Sequence, residues 1–178
     1  MALQNFFSQN QKVALAFSGG VDSAYLLYAA IQAGCDIHAY YVKSAFQPEF
    51  ELEDAKRLAK ELKINMTVLE LDVLSDSNIT DNPANRCYFC KKKIFSKIIE
   101  AAKADGYDVI IDGNNASDDA DDRPGMKAVQ ELQVRSPLRE CGITKSEVRR
   151  LSKEAGLFTW DKPAYACLAT RIPTGVTI

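Results

Sequence analysis

The chain has 178 residues, 47% hydrophobic and 26% charged, which suits a single domain with a real core. A formal net charge of −2 gives no electrostatic footprint for nucleic acid, and no apolar run approaches the ~18 residues of a membrane span. The start, MALQNFFSQNQK, lacks the basic-then-apolar pattern of a secretory leader, and five cysteines are an odd number, so the sequence reads as cytoplasmic, with thiols kept for chemistry or metal.

In chain order, Val13–Phe17 predicts a buried strand and Asp22–Ala33 a helix, apolar at 26, 27, 30 and 31. Ile37–Val42 predicts a second strand. Phe50–Leu62 predicts a helix with Leu52, Ala55, Leu58, Ala59 and Leu62 on one face. Met66–Leu71 alternates as a third strand, Phe89–Asp105 is helical, and Asp108–Asp112 is a fourth strand stopped by Gly113. A short helix over Lys127–Leu132 precedes an edge strand near Val134. Thr144–Ala155 opens with the capping-box pattern T-x-x-E. This β-α alternation predicts an α/β fold, an open, doubly wound parallel sheet of about five strands with helices on both faces. Two irregular stretches, 74–88 and 113–126, are long enough to carry function.

The turn Ser18-Gly19-Gly20-Val21-Asp22-Ser23 falls at the carboxyl end of the first strand, where open α/β folds bind ligands. Its glycines let successive N–H groups converge on an anion, and the following helix adds its positive end. Neither the Walker A nor the G-x-G-x-x-G pattern is present. Asp22 would repel phosphate unless Mg²⁺ intervened. A second motif, Arg86-Cys87-Tyr88-Phe89-Cys90-Lys91, places a C-x-x-C at a helix start, beside cations expected to favour thiolate. Cys167 follows a Trp160-Asp161-Lys162-Pro163 turn. From the residues alone, Cys87 and Cys90 are catalytic, structural, or part of a zinc site completed by Cys35, Cys141 or His38. Cys35 and Cys141 read as inert, and His38 as a packed residue. The acidic run Asp118, Asp119, Asp121 and Asp122 reads as a solvated loop. Trp160 and Tyr165 read as packing residues of the last loop.

S-G-G-V-D-S resembles the pyrophosphatase loop (PP-loop) of the ATP pyrophosphatase superfamily, whose fold is Rossmann-like, of the adenine nucleotide alpha-hydrolase type. That resemblance implies that Ser18, Gly19, Gly20, Val21 and Ser23 hold pyrophosphate and that Asp22 binds Mg²⁺. It also implies adenine beside Tyr41 and Val42, and Asp112, Gly113 and Asn114 flanking the α-phosphate and ribose. The order of N-R-C-Y-F-C-K-K, D-G-N-N, R-P-G-M-K-A, V-R-S-P-L and W-D-K-P-A-Y-A-C-L-A-T-R-I-P resembles the LarE-type ATP-dependent sulfur transferases over essentially the whole chain. The resemblance implies adenylation of a carboxylate on a pyridinium dicarboxylate mononucleotide of nickel-pincer cofactor synthesis, then sulfur delivery. Cys167 is the sulfur-bearing position. In some members that cysteine gives up its own sulfur; in others it joins two more, here Cys87 and Cys90, on a [4Fe–4S] cluster. Arg171, with Arg123 and Lys162, is expected to hold substrate anions. The resemblance implies that residues 1–178 correspond to the PP-loop domain, with the family's smaller C-terminal region, used for oligomer contacts and substrate binding, either absent or cut off; a homo-oligomer is an open expectation. Alternatives are a tRNA-thiolating enzyme and a non-catalytic nucleotide-binding module.

Overall fold

A computed structural model describes residues 2–118 and 123–178, the side chain of Arg123 aside. The elements in chain order are α1 (Ala2–Gln9), β1 (Lys12–Ala16), α2 (Val21–Gln32), β2 (Asp36–Lys43), α3 (Glu49–Glu61), β3 (Met66–Glu70) and α4 (Ser77–Thr80). They continue with α5 (Arg86–Ala104), β4 (Val109–Ile111), α6 (Arg123–Glu131), α7 (Pro137–Glu140), α8 (Lys145–Glu154) and a 3₁₀ turn, Leu168–Arg171. The strands form one parallel sheet in the order β3-β2-β1-β4, with Leu15 opposite both Ala39 and Ile111.

Alternation along each strand divides the core in two. Val13, Leu15, Ile37, Ala39 and Tyr41 pack with Leu26 and Leu27 of α2, Leu58 of α3 and Val148 of α8. On the opposite face Ala14, Tyr40, Val42 and Ile110 meet Phe95 and Ile98 of α5 and Val129 of α6. Helices therefore cover both faces; burial on both sides explains why β1 and β2 read as near-continuous apolar runs, while β3, at the sheet edge and only half-buried, alternates.

The fifth strand expected near Val134 is reduced to one bridge, Ile111 to Arg135. Arg135 donates its N–H to Ile110 and its carbonyl accepts from Asp112, after which Pro137, lacking an N–H, starts α7 and ends any ladder. The capping box forms as read: Thr144 N–H donates to Glu147 Oε2 at 3.0 Å and Glu147 N–H donates to Thr144 Oγ1 at 3.4 Å. His38 is packed, 2.8 Å from Thr67 Oγ1, and burial lowers its pKa. Cys35 is buried, its thiol pushed up to about 11. No helix among the described residues is long and apolar enough to cross a membrane.

Candidate functional site

β1 delivers the chain to the Ser18–Ser23 turn at the sheet's carboxyl edge. Gly19 takes φ +73°, and a Cβ there would lie 3.1 Å from the Glu51 carbonyl and 3.2 Å from Ala55 Cβ. Positive φ and the close pass of α3 together demand glycine. Gly20 precedes α2 with extended backbone and no side chain caps the helix. The N–H groups of Val21, Asp22 and Ser23 therefore have no intrahelical acceptor and point out of the helix start, as an anion site requires. Ser18 Oγ lies 3.1 Å from Ser23 Oγ and accepts from Gly20 N–H at 3.3 Å, bracing the turn.

Two cavities meet here. The first, about 350 Å³, runs between the ends of β1, β2 and β4 and the side of α5; its walls include Tyr41, Val42, Asp112, Gly113 and Asn114. The second, about 320 Å³, is walled by Gly20, Val21, Lys145, Lys162, Tyr165 and Cys167. Ser18, Asp22, Gln47 and Glu51 line both, so the turn is shared between a nucleotide-sized space and the space holding Cys167.

Asp22 is half-buried at this junction. Lys145, the first residue of α8, pairs with its carboxylate, and Asn115 Nδ2 donates to it at 3.3 Å. Burial raises the Asp22 pKa while Lys145 pulls it down. Neither partner was singled out from sequence; Asn115 is the second asparagine of D-G-N-N, and Lys145 directly follows the capping threonine. Asp112 is buried and accepts from Ser136 Oγ (2.7 Å), Asn114 N–H (3.1 Å) and Asn114 Nδ2 (2.6 Å), yet burial pushes its carboxyl up to about 6. A Cβ on Gly113 would lie 2.9 Å from Ser23 N, so β4 and the start of α2 touch there. The Tyr41 hydroxyl is buried and has no partner among the described residues.

Lys162 reaches the turn: its Nζ lies 2.7 Å from Asp54 Oδ2 and donates to the Gly19 carbonyl at 3.3 Å. Arg149 of α8 holds the same loop through the carbonyls of Trp160 and Lys162, both at 2.8 Å. Tyr165 packs edge-on against Phe50. Arg171 lines neither cavity; it is exposed and donates to Tyr165 Oη at 2.5 Å, one residue removed from the second cavity. Asp119, Asp121, Asp122 and the Arg123 side chain lie outside the described residues, while Asp118 holds Asn115 through its N–H at 2.6 Å.

Cys87 and Cys90 lie in the first turns of α5, which starts three residues earlier than expected. Cys167 and Cys87 are exposed and Cys90 is half-buried. Cys87 and Cys167 are close enough to act on the Cys90 thiol, and Cys87 on the Cys167 thiol, so the fold gathers the three at one corner. Among the described residues, however, no three His, Cys, Asp or Glu side chains form a metal-holding group. The bias toward thiolate expected of the C-x-x-C is reversed at Cys90, where burial outweighs Arg86 and Lys91 and pushes the thiol up to about 11; desolvation also raises Cys167, against the Ala169 N–H and Arg86.

Residues 7–171 match the family described as thiamine biosynthesis protein (ThiI). The chain belongs to the ThiI family. Among relatives of this ThiI-family chain, an uncharacterized protein of Synechocystis is 41% identical over 99% of this chain and 66% of its own. The pyridinium-3,5-bisthiocarboxylic acid mononucleotide synthase of Lactiplantibacillus plantarum is 37% identical over 94% of this chain and 62% of its own. A tRNA-specific 2-thiouridylase of Clostridium botulinum is 27% identical over 84% and 52%. The ThiI-family chain thus spans about two thirds or less of the curated relatives it matches. The NH3-dependent NAD synthetase of Campylobacter jejuni superposes with a TM-score of 0.66 at 20% identity, over 92% of this chain and 74% of that one, which shows the shared PP-loop Rossmann-like fold.

Proposed function

We propose that this chain is the PP-loop domain of a cytoplasmic, ATP-dependent sulfur transferase acting on a carboxylate of a pyridinium mononucleotide. The observation that carries the reading is the shared wall: the pyrophosphate-type turn and Cys167 open onto one continuous space. The Lactiplantibacillus relative, a bisthiocarboxylic acid mononucleotide synthase by name, supports the substrate class.

In the first step a substrate carboxylate oxygen attacks the α-phosphorus of ATP. The α–β phosphoanhydride bond breaks and its electron pair leaves on pyrophosphate, held by the N–H groups of Val21, Asp22 and Ser23 with Lys162 and Lys145 at hand. Mg²⁺ suits the oxygen donor of Asp22 and, when bound, offsets the charge of the leaving group. Cys167 Sγ then attacks the acyl carbon and AMP departs with the C–O electron pair. Loss of the Cys167 Cα proton and cleavage of its Cβ–S bond leaves a thiocarboxylate on the substrate and dehydroalanine at 167. No oxidant or reductant is needed.

The second sulfur source is a sulfide on a [4Fe–4S] cluster held by Cys87, Cys90 and Cys167. Three thiolates are the right donors for it. The described arrangement does not place them as a ligand set, so the steps above run on Cys167. A second acceptor, a tRNA base, is supported by the 2-thiouridylase relatives; the net charge of −2 and the lower identity weigh against it.

Incubation with ATP, Mg²⁺ and the pyridinium dicarboxylate mononucleotide tests the reading. AMP and pyrophosphate are expected, with protein lighter by the mass of H₂S at Cys167, or unchanged in mass if anaerobic protein carries iron and sulfide. ADP and orthophosphate as products would refute it. tRNA binding that collapses steeply with salt would select the second acceptor.

A further inference from the structure

We propose that Asn82 and Arg86 are positioning residues that latch the Cys167 segment across the second cavity and so fix where the sulfur is presented, an inference that rests on the sulfur-transfer reading. Between residues 161 and 178 Ala169 is the one buried residue; it packs with Phe46, Val73 and Ile79, and Ile178 is partly buried against them, so a small apolar contact seats the segment. Polar contacts to the corner between α4 and α5 add most of the directional ties.

Asn82 is fully buried at φ +51°, a left-handed conformation that asparagine tolerates better than most residues. Its Nδ2 group shares two N–H bonds among the carbonyls of Ile172 (3.3 Å), Pro173 (2.8 Å) and Val176 (3.0 Å). Its own carbonyl accepts from Gly175 N–H at 2.9 Å, and Thr80 accepts from Ile178 N–H at 2.9 Å. On its other side Asn82 Oδ1 accepts from Arg86 Nη1, which also donates to the Ala169 carbonyl at 3.2 Å. Leu168 N–H donates to the Phe46 carbonyl at 3.1 Å, on the loop that lines the second cavity. The pair thus gathers four carbonyls that follow Cys167, while Arg86 immediately precedes Cys87. One guanidinium ties the start of the C-x-x-C helix to the turn that carries the third cysteine.

Neither residue lines either of the two cavities at the turn, so each acts through Cys167 rather than on substrate. Asn82→Gly removes the side-chain bonds while keeping a residue suited to positive φ, which protects folding. Each lost bond is worth roughly two- to tenfold in a local closing equilibrium, so amides of residues 168–178 should exchange with solvent at least about tenfold faster. Alkylation of Cys167 by iodoacetamide, read by mass spectrometry against Cys141, should rise several-fold. Arg86→Ala should do the same, and Arg86→Lys, which restores one donor, should fall between it and the wild type. In all of these, ATP–pyrophosphate exchange driven by the carboxylate substrate should stay within about twofold, while kcat for sulfur delivery drops about tenfold.

A folded Asn82→Gly protein with wild-type amide exchange over 168–178 and a wild-type Cys167 alkylation ratio would overturn the latch. So would a parallel loss of ATP–pyrophosphate exchange and sulfur delivery. Wild-type protein that performs no ATP–pyrophosphate exchange would instead refute the sulfur-transfer reading, and the exchange and alkylation data would still judge the latch.

Discussion

Replacing Gly113 by alanine separates close packing from backbone strain, because the fold supplies a matched control. At Gly113 the backbone is ordinary, but the added Cβ would lie 2.9 Å from Ser23 N, 3.2 Å from Ser23 Cα and 3.3 Å from Ser23 Cβ. Those atoms are the start of α2, and they can yield only if the end of β4 and the Ser18–Ser23 turn move apart. Gly156 is the reverse: φ is +71° and nothing lies within 4 Å. Overpacking costs about 1–3 kcal/mol and left-handed backbone on alanine about 1–2 kcal/mol, so both variants should lose similar stability, a fall in Tm of roughly 2–4 °C per kcal/mol. Their nucleotide affinities should diverge. Gly113→Ala displaces the Ser23 N–H and should raise the Kd for ATP or pyrophosphate at least about tenfold, or about 1.4 kcal/mol. Gly156→Ala, at the end of α8, should bind as wild type. Equal Kd values by calorimetry in the two variants, at matched folded fraction, would refute the crowding argument.

Asp112 should make stability fall as pH rises. Its folded pKa of about 6 lies above its ordinary 3.8, so the native state holds the extra proton between those values; the cost develops across that window and reaches on the order of 3 kcal/mol above it. Urea denaturation at pH 4.5 and 7 should show a smaller difference for Asp112→Asn than for wild type, and identical differences would remove the effect. Lys145→Met strands the Asp22 carboxylate and should cost about 1–2 kcal/mol, with Mg²⁺ alone raising the Tm of the variant more than that of wild type. Asp22→Asn should abolish Mg²⁺-dependent ATP turnover with little change in Tm, and a retained Mg²⁺ dependence would move the ion elsewhere. Cys167→Ser should keep ATP–pyrophosphate exchange and lose sulfur delivery, a split readable in one pair of assays.

The sheet and the glycine turn between β1 and α2 were legible because local pattern decides them. Strands buried on both faces read as apolar runs, and a glycine pair between a strand and a helix has few other uses. The α1 helix was missed although Leu3, Phe6 and Phe7 stand at helical spacing and are all buried. The fifth strand was over-read because Val134 has strand character while Pro137, three residues on, ends the pairing. Lys145 could not be read from its neighbourhood, since its partner Asp22 is 123 residues away. Asn82 was equally silent: a polar residue in an irregular stretch, whose contacts lie 90 to 94 residues downstream. The basic residues beside the C-x-x-C misled in the opposite direction, because sequence shows charge but not burial, and burial dominates at Cys90.

These successes and misses divide along the two cavities, and the division bears on how one fold serves several reactions. The nucleotide side of the proposed site is built from strand ends and the first turn of α2, elements fixed by the core, so on the proposed reading ATP would be held by backbone and register. The sulfur side is built from Lys162, Tyr165 and Cys167, on a loop whose position comes from polar ties to Asp54, Arg149, Asn82 and Arg86. Changing those ties costs the core little, so the second half of the reaction is free to vary while the first is kept. A single substitution in the loop should therefore alter sulfur delivery before it alters fold or ATP binding, whereas one at Gly19 or Gly113 should alter both at once.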